Sequence, residues 1–539
     1  MGKWWQERIV YQIYTRSFQD LSGDGIGDIP GIISRLDELK DLGVGVIWLS
    51  PVYRSPDADN GYDISDYRDI DPKFGTMADM DELFAQASRR DIKIIMDLVI
   101  NNTSDEHEWF LKSRDKGSPY RDYYIWRPGR KRGKPPNNWS GFFMNGAWEF
   151  DDRSGEYYLH LFDKKQPDLN YKNPEVVEEV KDIMRFWLEK GAAGFRCDVI
   201  NIIYKTSLDD GRRRIAVRGL EHFKSQPGAH EILKELRRDV LDHYDCFTVG
   251  ESVFVDLDDA KLLCDPERKE LDMLFYFDHL EVDRRVSRYI GKRFKAKRLL
   301  EVLTKWQQGL SWNAVYLENH DQPRIVSHYG DDLDYWERSA KLLATMQLTL
   351  RGTPFIFQGQ EIGMTNFDFD SLSQVKDVES HNIDKLLRSL FIPARLRWKW
   401  IKETSRDNSR TPMQWDAGPG AGFTKGEAWL GINDNHVKIN YENQKSNPDS
   451  VLSYYKKMIN LRSSSETLKY GQFGPVYAKG NVIAYARTLG EERYTTILNF
   501  SWNQKRAVFA GEVAASNIGR ETYDGNLEPW EAVVLKVES

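Results

Sequence analysis

The sequence predicts an α/β protein: a (β/α)8 barrel with a small β-rich domain inserted after its third strand and a C-terminal antiparallel β-sandwich. Three observations carry this. Eight short apolar runs recur along the chain, several continuously apolar rather than alternating, as parallel strands covered on both faces require. Amphipathic stretches with apolar residues at three- and four-residue spacing separate them. Near the end the pattern changes to strict alternation, the mark of a half-buried antiparallel sheet.

In order, the runs are Val10–Tyr14, Val46–Leu49, Ile92–Ile100, Gly194–Val199, Phe247–Val249, Met273–Phe277, Ala314–Leu317 and Pro354–Gln358. Helical periodicity marks Ile32–Leu42, Met77–Ser88 and Val176–Leu188. About ninety residues separate Ile100 from Gly194, too many for one loop and helix, so a domain is placed there. Its aromatic residues, its turn formers at Pro135–Trp139 and its alternating run Glu156–Leu161 read as a small irregular β unit. The expected division is a first barrel part at 1–103, the inserted domain at 104–172, and the second barrel part at 173–465. A further insertion at about 366–430 follows the eighth strand, and the sandwich occupies 466–539.

Composition narrows the function. The formal charge of −7 offers no basic field for a nucleic-acid backbone, which excludes that partner. Three scattered cysteines, Cys197, Cys246 and Cys264, form neither a disulfide framework nor a zinc motif, and point to a reducing compartment. The first residues lack a basic segment followed by an apolar run, and no stretch approaches the ~20 apolar residues of a membrane span. The expectation is a soluble, cytoplasmic monomer without a membrane partner. Aromatic residues make up 13% of the chain, a surplus that sugar-binding clefts use as stacking platforms.

In a barrel, chemistry sits where the strands end at their C-terminal side. Those ends carry Asp97 and Asn101 after the third strand, Arg196 and Asp198 on the fourth, Glu251 after the fifth, and Asn319-His320-Asp321 after the seventh. Carboxylates from separate strands, with no cysteine nucleophile and no His/carboxylate metal cage, point to glycosyl transfer, in which a nucleophile or base faces an acid across an acetal. Arg196, two residues before Asp198 on the same strand face, would keep that aspartate ionised.

These segments resemble the signatures of the α-amylase superfamily, and within it the oligo-1,6-glucosidase and dextran glucosidase branch of glycoside hydrolase family 13. They are Asp97–Asn102, Gly194–Val199, Thr248–Glu251 and Glu318–Asp321, with an accessory signature at Gln166–Asn170, and all stand in the family's order. The resemblance runs from Trp4 into the C-terminal domain. It implies Asp198 as nucleophile, Glu251 as general acid/base and Asp321 as the carboxylate that binds the sugar 2- and 3-hydroxyls. It further implies that Arg196 orients the nucleophile, that His320 contacts the same sugar, that Asp59 and Arg406 clamp a terminal glucose, that Tyr62 stacks on it, and that Phe162 packs beside it. Arg410 and Asp63 read as supporting residues.

The implied activity is that of a retaining, exo-acting α-glucosidase releasing α-1,6-linked glucose from the non-reducing end of small oligosaccharides or disaccharides. Val199, directly after the nucleophile, resembles the α-1,6-acting members; its plainer role is that of a β-favouring strand residue. One position departs from the family: Asn102 stands where the first signature ends in His. The shorter amide would reach the sugar hydroxyl only through water, at a cost of about 1 kcal/mol or more.

The loop from Asp20 to Asp28 places oxygen donors at every second position, as hard-cation loops do. It resembles the calcium loop of the dextran-glucosidase branch, which implies a structural Ca2+ held by Asp20, Ser22, Asp24, the Ile26 carbonyl and Asp28. The alternative is a metal-free Asp/Gly turn.

Three other functions stay open at this stage. A trehalose-6-phosphate hydrolase would use the basic tract Arg130–Lys134 as a phosphate-gripping lid, although the tract reads first as a solvated loop. A sucrose isomerase would need the fructose-retaining Arg-Leu-Asp-Arg-Asp motif that Phe277–Arg285 only partly resembles. A non-catalytic amylase-like interaction protein would depart from the catalytic set, and Asn102 is the feature that favours it.

Overall fold

The computed structural model describes residues 2–214, 217–284 and 291–538; Arg285, the end of the tract just named, lies outside them. The eight apolar runs become eight strands of one sheet, Val10–Ile13, Val46–Leu49, Lys93–Leu98, Gly194–Cys197, Phe247–Glu251, Met273–Phe275, Ala314–Val315 and Thr353–Phe357. They follow chain order, with the eighth strand hydrogen-bonded in parallel to the first. Side chains close the junction between the sixth and seventh strands. The Phe275 and Tyr316 rings meet edge to face at 4.9 Å, and the Tyr316 hydroxyl donates to the Tyr276 carbonyl at 2.8 Å. Most strands end one to two residues before the predicted runs do.

The flanking helices carry the expected end signals. Met77–Arg89 opens on a capping box between Thr76 and Asp79, and Pro174–Lys190 runs from the Asn173 cap to left-handed Gly191 at φ 117°. The continuous helix predicted over Ile32–Leu42 is instead two, Ile29–Ser34 and Leu36–Leu42, broken at Arg35. The Arg35 side chain is drawn aside, donating to Gln19 Oε1 at 2.8 Å and lying 4.2 Å over the Trp415 ring.

After the third strand comes a three-stranded antiparallel sheet of Trp126–Arg127, Trp148–Asp151 and Glu156–Leu159. The aromatic surplus fills it: Phe110 packs on Tyr124, Trp126 and Tyr158. After the eighth strand the chain builds a helical hairpin, Val378–Ser389 and Ala394–Thr404, and a short helix Asp407–Arg410.

The C-terminal unit has unequal leaves. A five-stranded antiparallel sheet carries a two-stranded ribbon, Lys505–Arg506 with Asn526–Leu527. Ala484, Ile497, Val533 and Leu535 pack under Ala507 and Leu527 on one side, while Ile483, Tyr485, Leu498 and Val534 join the main core on the other. Buried Arg487 fastens this sheet to the barrel by donating to the Thr349 and Leu468 carbonyls, each at 2.8 Å. Among the described residues no helix is long and apolar enough to cross a membrane.

Candidate active site

The fourth strand sets the centre of the site. It lies close to the fifth because Gly194, at φ 140°, has no side chain; a Cβ there would stand 1.9 Å from the Phe247 carbonyl oxygen. Register places Arg196 beside Asp97 on one side and Val249 on the other. Arg196 is buried, and its guanidinium gathers three acids from three adjacent strands. Nη1 donates to Asp97 Oδ1 at 2.8 Å and to Asp198 Oδ1 at 2.6 Å, and Nη2 pairs with Glu251.

One positive charge cannot hold three negative ones out of water, so a proton stays on the cluster. Burial pushes Glu251 up to about 8; Arg196 opposes this, and the charge of Asp198 adds to it. Glu251, raised the furthest, is the member that keeps the proton. Burial also raises Asp198 and Asp97, against the pull of Arg196.

His320 stands behind this cluster as a fixed neutral donor. Gln12 Nε2 donates to Nδ1 at 2.8 Å, so the ring proton sits on Nε2, 2.8 Å from the Tyr62 hydroxyl and 3.2 Å from Asp321 Oδ2. Burial pushes His320 down to about 3. Tyr62 stacks flat on the imidazole, 5.3 Å between centroids at 1°, and donates to Asp97 Oδ2 at 3.0 Å.

Asp321 receives Arg410 Nη2 at 2.6 Å and Arg406 Nη1 at 3.3 Å. Burial works against its charge, but His320 and the two guanidiniums hold it far below the ordinary carboxylate range. Arg406 also reaches Asp59 at 3.5 Å, and both line the cavity. Burial raises Asp59 to about 7 despite Arg406. The supporting residues act here through the backbone: Asp63 accepts from the Ala58 and Asp59 amides, and Arg410 donates through Nε to the His320 carbonyl.

The cavity has a volume of about 360 Å3 and is lined by Asp59, Tyr62, Asn102, Phe162, Asp198, Val199, Glu251, Asp321 and Arg406, with Gln166 and Phe142 among others. Arg196 and His320 lie one layer behind, bonded to lining residues. Asn102 donates to the Tyr62 carbonyl at 3.2 Å, so part of its amide is spent on the pocket wall. Phe162 stacks on Phe142 at 4.9 Å.

Val199 corrects its plainer reading. It is no strand residue: the strand ends at Cys197, and Val199 turns left-handed at φ 36°, ψ 38°. That conformation is costly for a β-branched side chain, and it faces the valine into the cavity. Two of the site's residues escaped the sequence reading. Gln166 belongs to a quoted signature and donates to Asp59 at 3.3 Å. Asp377 was not singled out; it grips Arg406 at 2.7 Å while capping the helix Val378–Ser389. The signal was local, since Asp-Val-Glu-Ser reads as a helix start.

The tract Arg130–Lys134 stands apart. It is an exposed turn in which Arg130 pairs with Asp210 at 2.9 Å, and none of its residues lines the cavity. In the loop 20–28, Asp20 accepts from the Gly23 and Gly25 amides at 2.6 and 2.7 Å, Asp28 from Ser22 and Gly31, and Asp24 from Ile26. Among the described residues no group of three or more His, Cys, Asp and Glu is gathered as a metal site.

The comparisons agree with this geometry. The model of the alpha amylase catalytic domain matches residues 12–471. An oligo-1,6-glucosidase from Parageobacillus thermoglucosidasius is 48% identical, with 99% of each chain covered. A trehalose-6-phosphate hydrolase from Bacillus subtilis is 44% identical over 99% of this chain and 98% of its own. Among solved structures, a mutant isomaltulose synthase from Erwinia rhapontici in complex with sucrose superposes with a TM-score of 0.97 at 42% identity, both chains fully covered. With its barrel, its strand-end acids and most of its length matched, the chain belongs to the alpha-amylase family of glycoside hydrolases.

Proposed function

We propose that the protein is a retaining, exo-acting α-glucosidase that removes α-1,6-linked glucose from the non-reducing end of isomalto-oligosaccharides. The observation that carries this is the pair Asp198 and Glu251, held on the two ends of one guanidinium at the wall of a pocket that Asp59 and Arg406, themselves paired, also line. Two carboxyls bridged by one guanidinium suit the closely spaced nucleophile and acid of a retaining mechanism.

Glu251, protonated at neutral pH, donates to the glycosidic oxygen as Asp198 attacks the anomeric carbon. The leaving sugar departs as an alcohol. Glu251, now a carboxylate, takes a proton from water, and the resulting attack frees glucose with its α configuration kept. Asp321, fixed as an anion by Arg410 and Arg406, is the acceptor for the 2- and 3-hydroxyls and stabilises positive charge at the ring. His320, one layer behind, holds Tyr62 and Asp321 in place from Nε2, Tyr62 is the stacking platform, and Phe162 and Asn102 form the wall.

The α-1,6 preference rests on relatives named oligo-1,6-glucosidase and glucan 1,6-alpha-glucosidase, and on the left-handed Val199 narrowing the leaving-group side. The test is a panel of isomaltose, isomaltotriose, maltose, sucrose, trehalose and trehalose 6-phosphate, with product anomers recorded. α-Glucose from the isomalto series, lost in Asp198→Ala, is the expected result. Isomaltulose from sucrose, a preference for the phosphorylated disaccharide, or β-glucose would reject the reading.

A structural Ca2+ at residues 20–28 is a separate proposal resting on donor chemistry. All donors are hard oxygens; both oxygens of Asp20 and Oδ2 of Asp28 already accept two hydrogen bonds each, so the loop would exchange some of these for the ion. Calorimetric titration with Ca2+ should give saturable binding that Asp24→Ala removes; no heat would leave the loop a turn. A cytoplasmic monomer is likewise proposed, consistent with three unpaired cysteines.

A further inference from the structure

The helical hairpin after the eighth strand is rooted at the cavity: Glu379 near its start and Thr404 at its end are lining residues. Its turn, Leu390-Phe391-Ile392-Pro393, stands about 17 Å along the helix from that root at 1.5 Å per residue. Ile383, Leu387, Trp398 and Ile401 pack between the two helices and against Met144 of the inserted domain.

The turn is built at a cost. Phe391 is the left-handed residue that ends the first helix, at φ 57°. Its amide donates to the Arg388 carbonyl and the Ile392 amide donates to the Leu387 carbonyl, each at 3.0 Å. That position favours glycine, so a phenylalanine there is strained. Its side chain wins nothing back by packing, because Phe391 leaves 94% of its surface to water and Leu390 beside it leaves 59%.

Charge is the second observation. From Lys385 through Lys402 the chain carries six basic residues and no acidic one, in a protein whose formal charge is −7. Arg388 and Arg397 share Asp384 at 2.8 Å each, which steadies the hairpin. Lys385 and Arg395, exposed on either side of the turn, pair with no carboxylate among the described residues. A solvated face would account for the bases, but not for an apolar tip set among them at the expense of strain.

We propose that this tip docks on an anionic lipid surface, Phe391 and Leu390 entering the boundary between headgroups and acyl chains while Lys385, Arg388 and Arg395 face the phosphates. A contact of this kind needs no spanning helix, so it revises the expected absence of a membrane partner, which rested on the lack of a span. The rest of the acidic chain is repelled by such a surface, which makes the docking reversible and sensitive to salt.

The test is cosedimentation of the full chain with vesicles of pure phosphatidylcholine and with vesicles of equal parts phosphatidylcholine and phosphatidylglycerol, at low salt and at about 0.5 M salt. The variants are Phe391→Gly, which suits the torsion while removing the ring, Phe391→Trp, and the pair Lys385→Gln with Arg395→Gln. The unmodified protein should bind the anionic vesicles at low salt and leave them at high salt. Phe391→Gly should lower the bound-to-free ratio roughly tenfold, as loss of one inserted aromatic side chain implies, and Phe391→Trp should keep it. The double variant should weaken binding without abolishing it. No binding by the unmodified protein, equal binding to neutral vesicles, or full binding by Phe391→Gly overturns the proposal. So does a dimer in sedimentation velocity that Phe391→Gly dissolves, since the tip would then belong to a second copy of the chain.

Discussion

Replacing Glu251 by Gln removes one proton from the site and keeps its shape, since the amide can still donate toward Asp198. Two consequences follow from the buried cluster. For catalysis, the leaving oxygen loses its acid, and kcat on isomaltose should fall by about 10^2 to 10^4 at pH 7. An aryl α-glucoside with a good leaving group needs no proton and should keep a far faster first step, so a burst of phenol should precede slow turnover.

For stability, the folded carboxyl is raised from an ordinary 4.5 to about 8, so the folded state binds the proton more tightly than the unfolded chain. Its contribution is therefore full below about pH 4.5 and is lost as pH rises through 8. At 1.36 kcal/mol per pH unit the full loss is about 5 kcal/mol, and about half of that if Asp198 shares the proton. Gln does not titrate, so the variant should gain on the unmodified enzyme by about 2–5 kcal/mol between pH 5 and pH 9 in urea unfolding monitored by tryptophan fluorescence. A stability difference independent of pH, together with an unchanged kcat on isomaltose, would refute the assignment of the stored proton to Glu251.

Three further outcomes are expected. The unmodified enzyme should lose kcat/KM on the alkaline side as Glu251 ionises near 8, an inflection absent in Glu251→Gln and read directly from pH–rate profiles. Arg406→Ala strips Asp321 and Asp59 of a shared cation; KM for isomaltose should rise at least tenfold, and thermal melting should show whether losing the Asp377 contact also destabilises the fold. Val199→Ala removes the branched side chain from the leaving-group wall, so the ratio of kcat/KM for maltose to that for isomaltose should rise about tenfold, measured with both sugars in competition; an unchanged ratio would detach linkage choice from this residue.

How much of this was legible depends on where each residue gets its geometry. Arg196, Asp198 and Glu251 take theirs from parallel strands, whose apolar runs announce themselves and whose register fixes which residues share a face. Their convergence could be read because a barrel brings all strand ends to one mouth. Arg406 and Asp377 take theirs from an insertion whose helices pack on nothing the pattern could name, so the motif around Arg406 was visible and its partner was not. The break at Arg35 escaped for a related reason: the side chain at the break engages residues distant in the chain, Trp415 among them.

The deepest miss is the backbone at Val199 and Phe254, because local propensity argues the opposite of what occurs. A valine after a strand and a phenylalanine in an apolar run both favour extended torsions, yet both turn left-handed beside a buried acid. Such torsions persist only where the surroundings over-determine them. Here the surroundings are identifiable: Asn201 locks Val253 by two hydrogen bonds, and Val199 is clamped in the apolar cluster under the inserted domain. If the strain serves position, then Asn201→Ala, which touches no acid, should free both loops at once. It should lower kcat on isomaltose and also raise KM. An Asn201→Ala enzyme with an unchanged kcat would show that the stitch holds only the rim and not the acids.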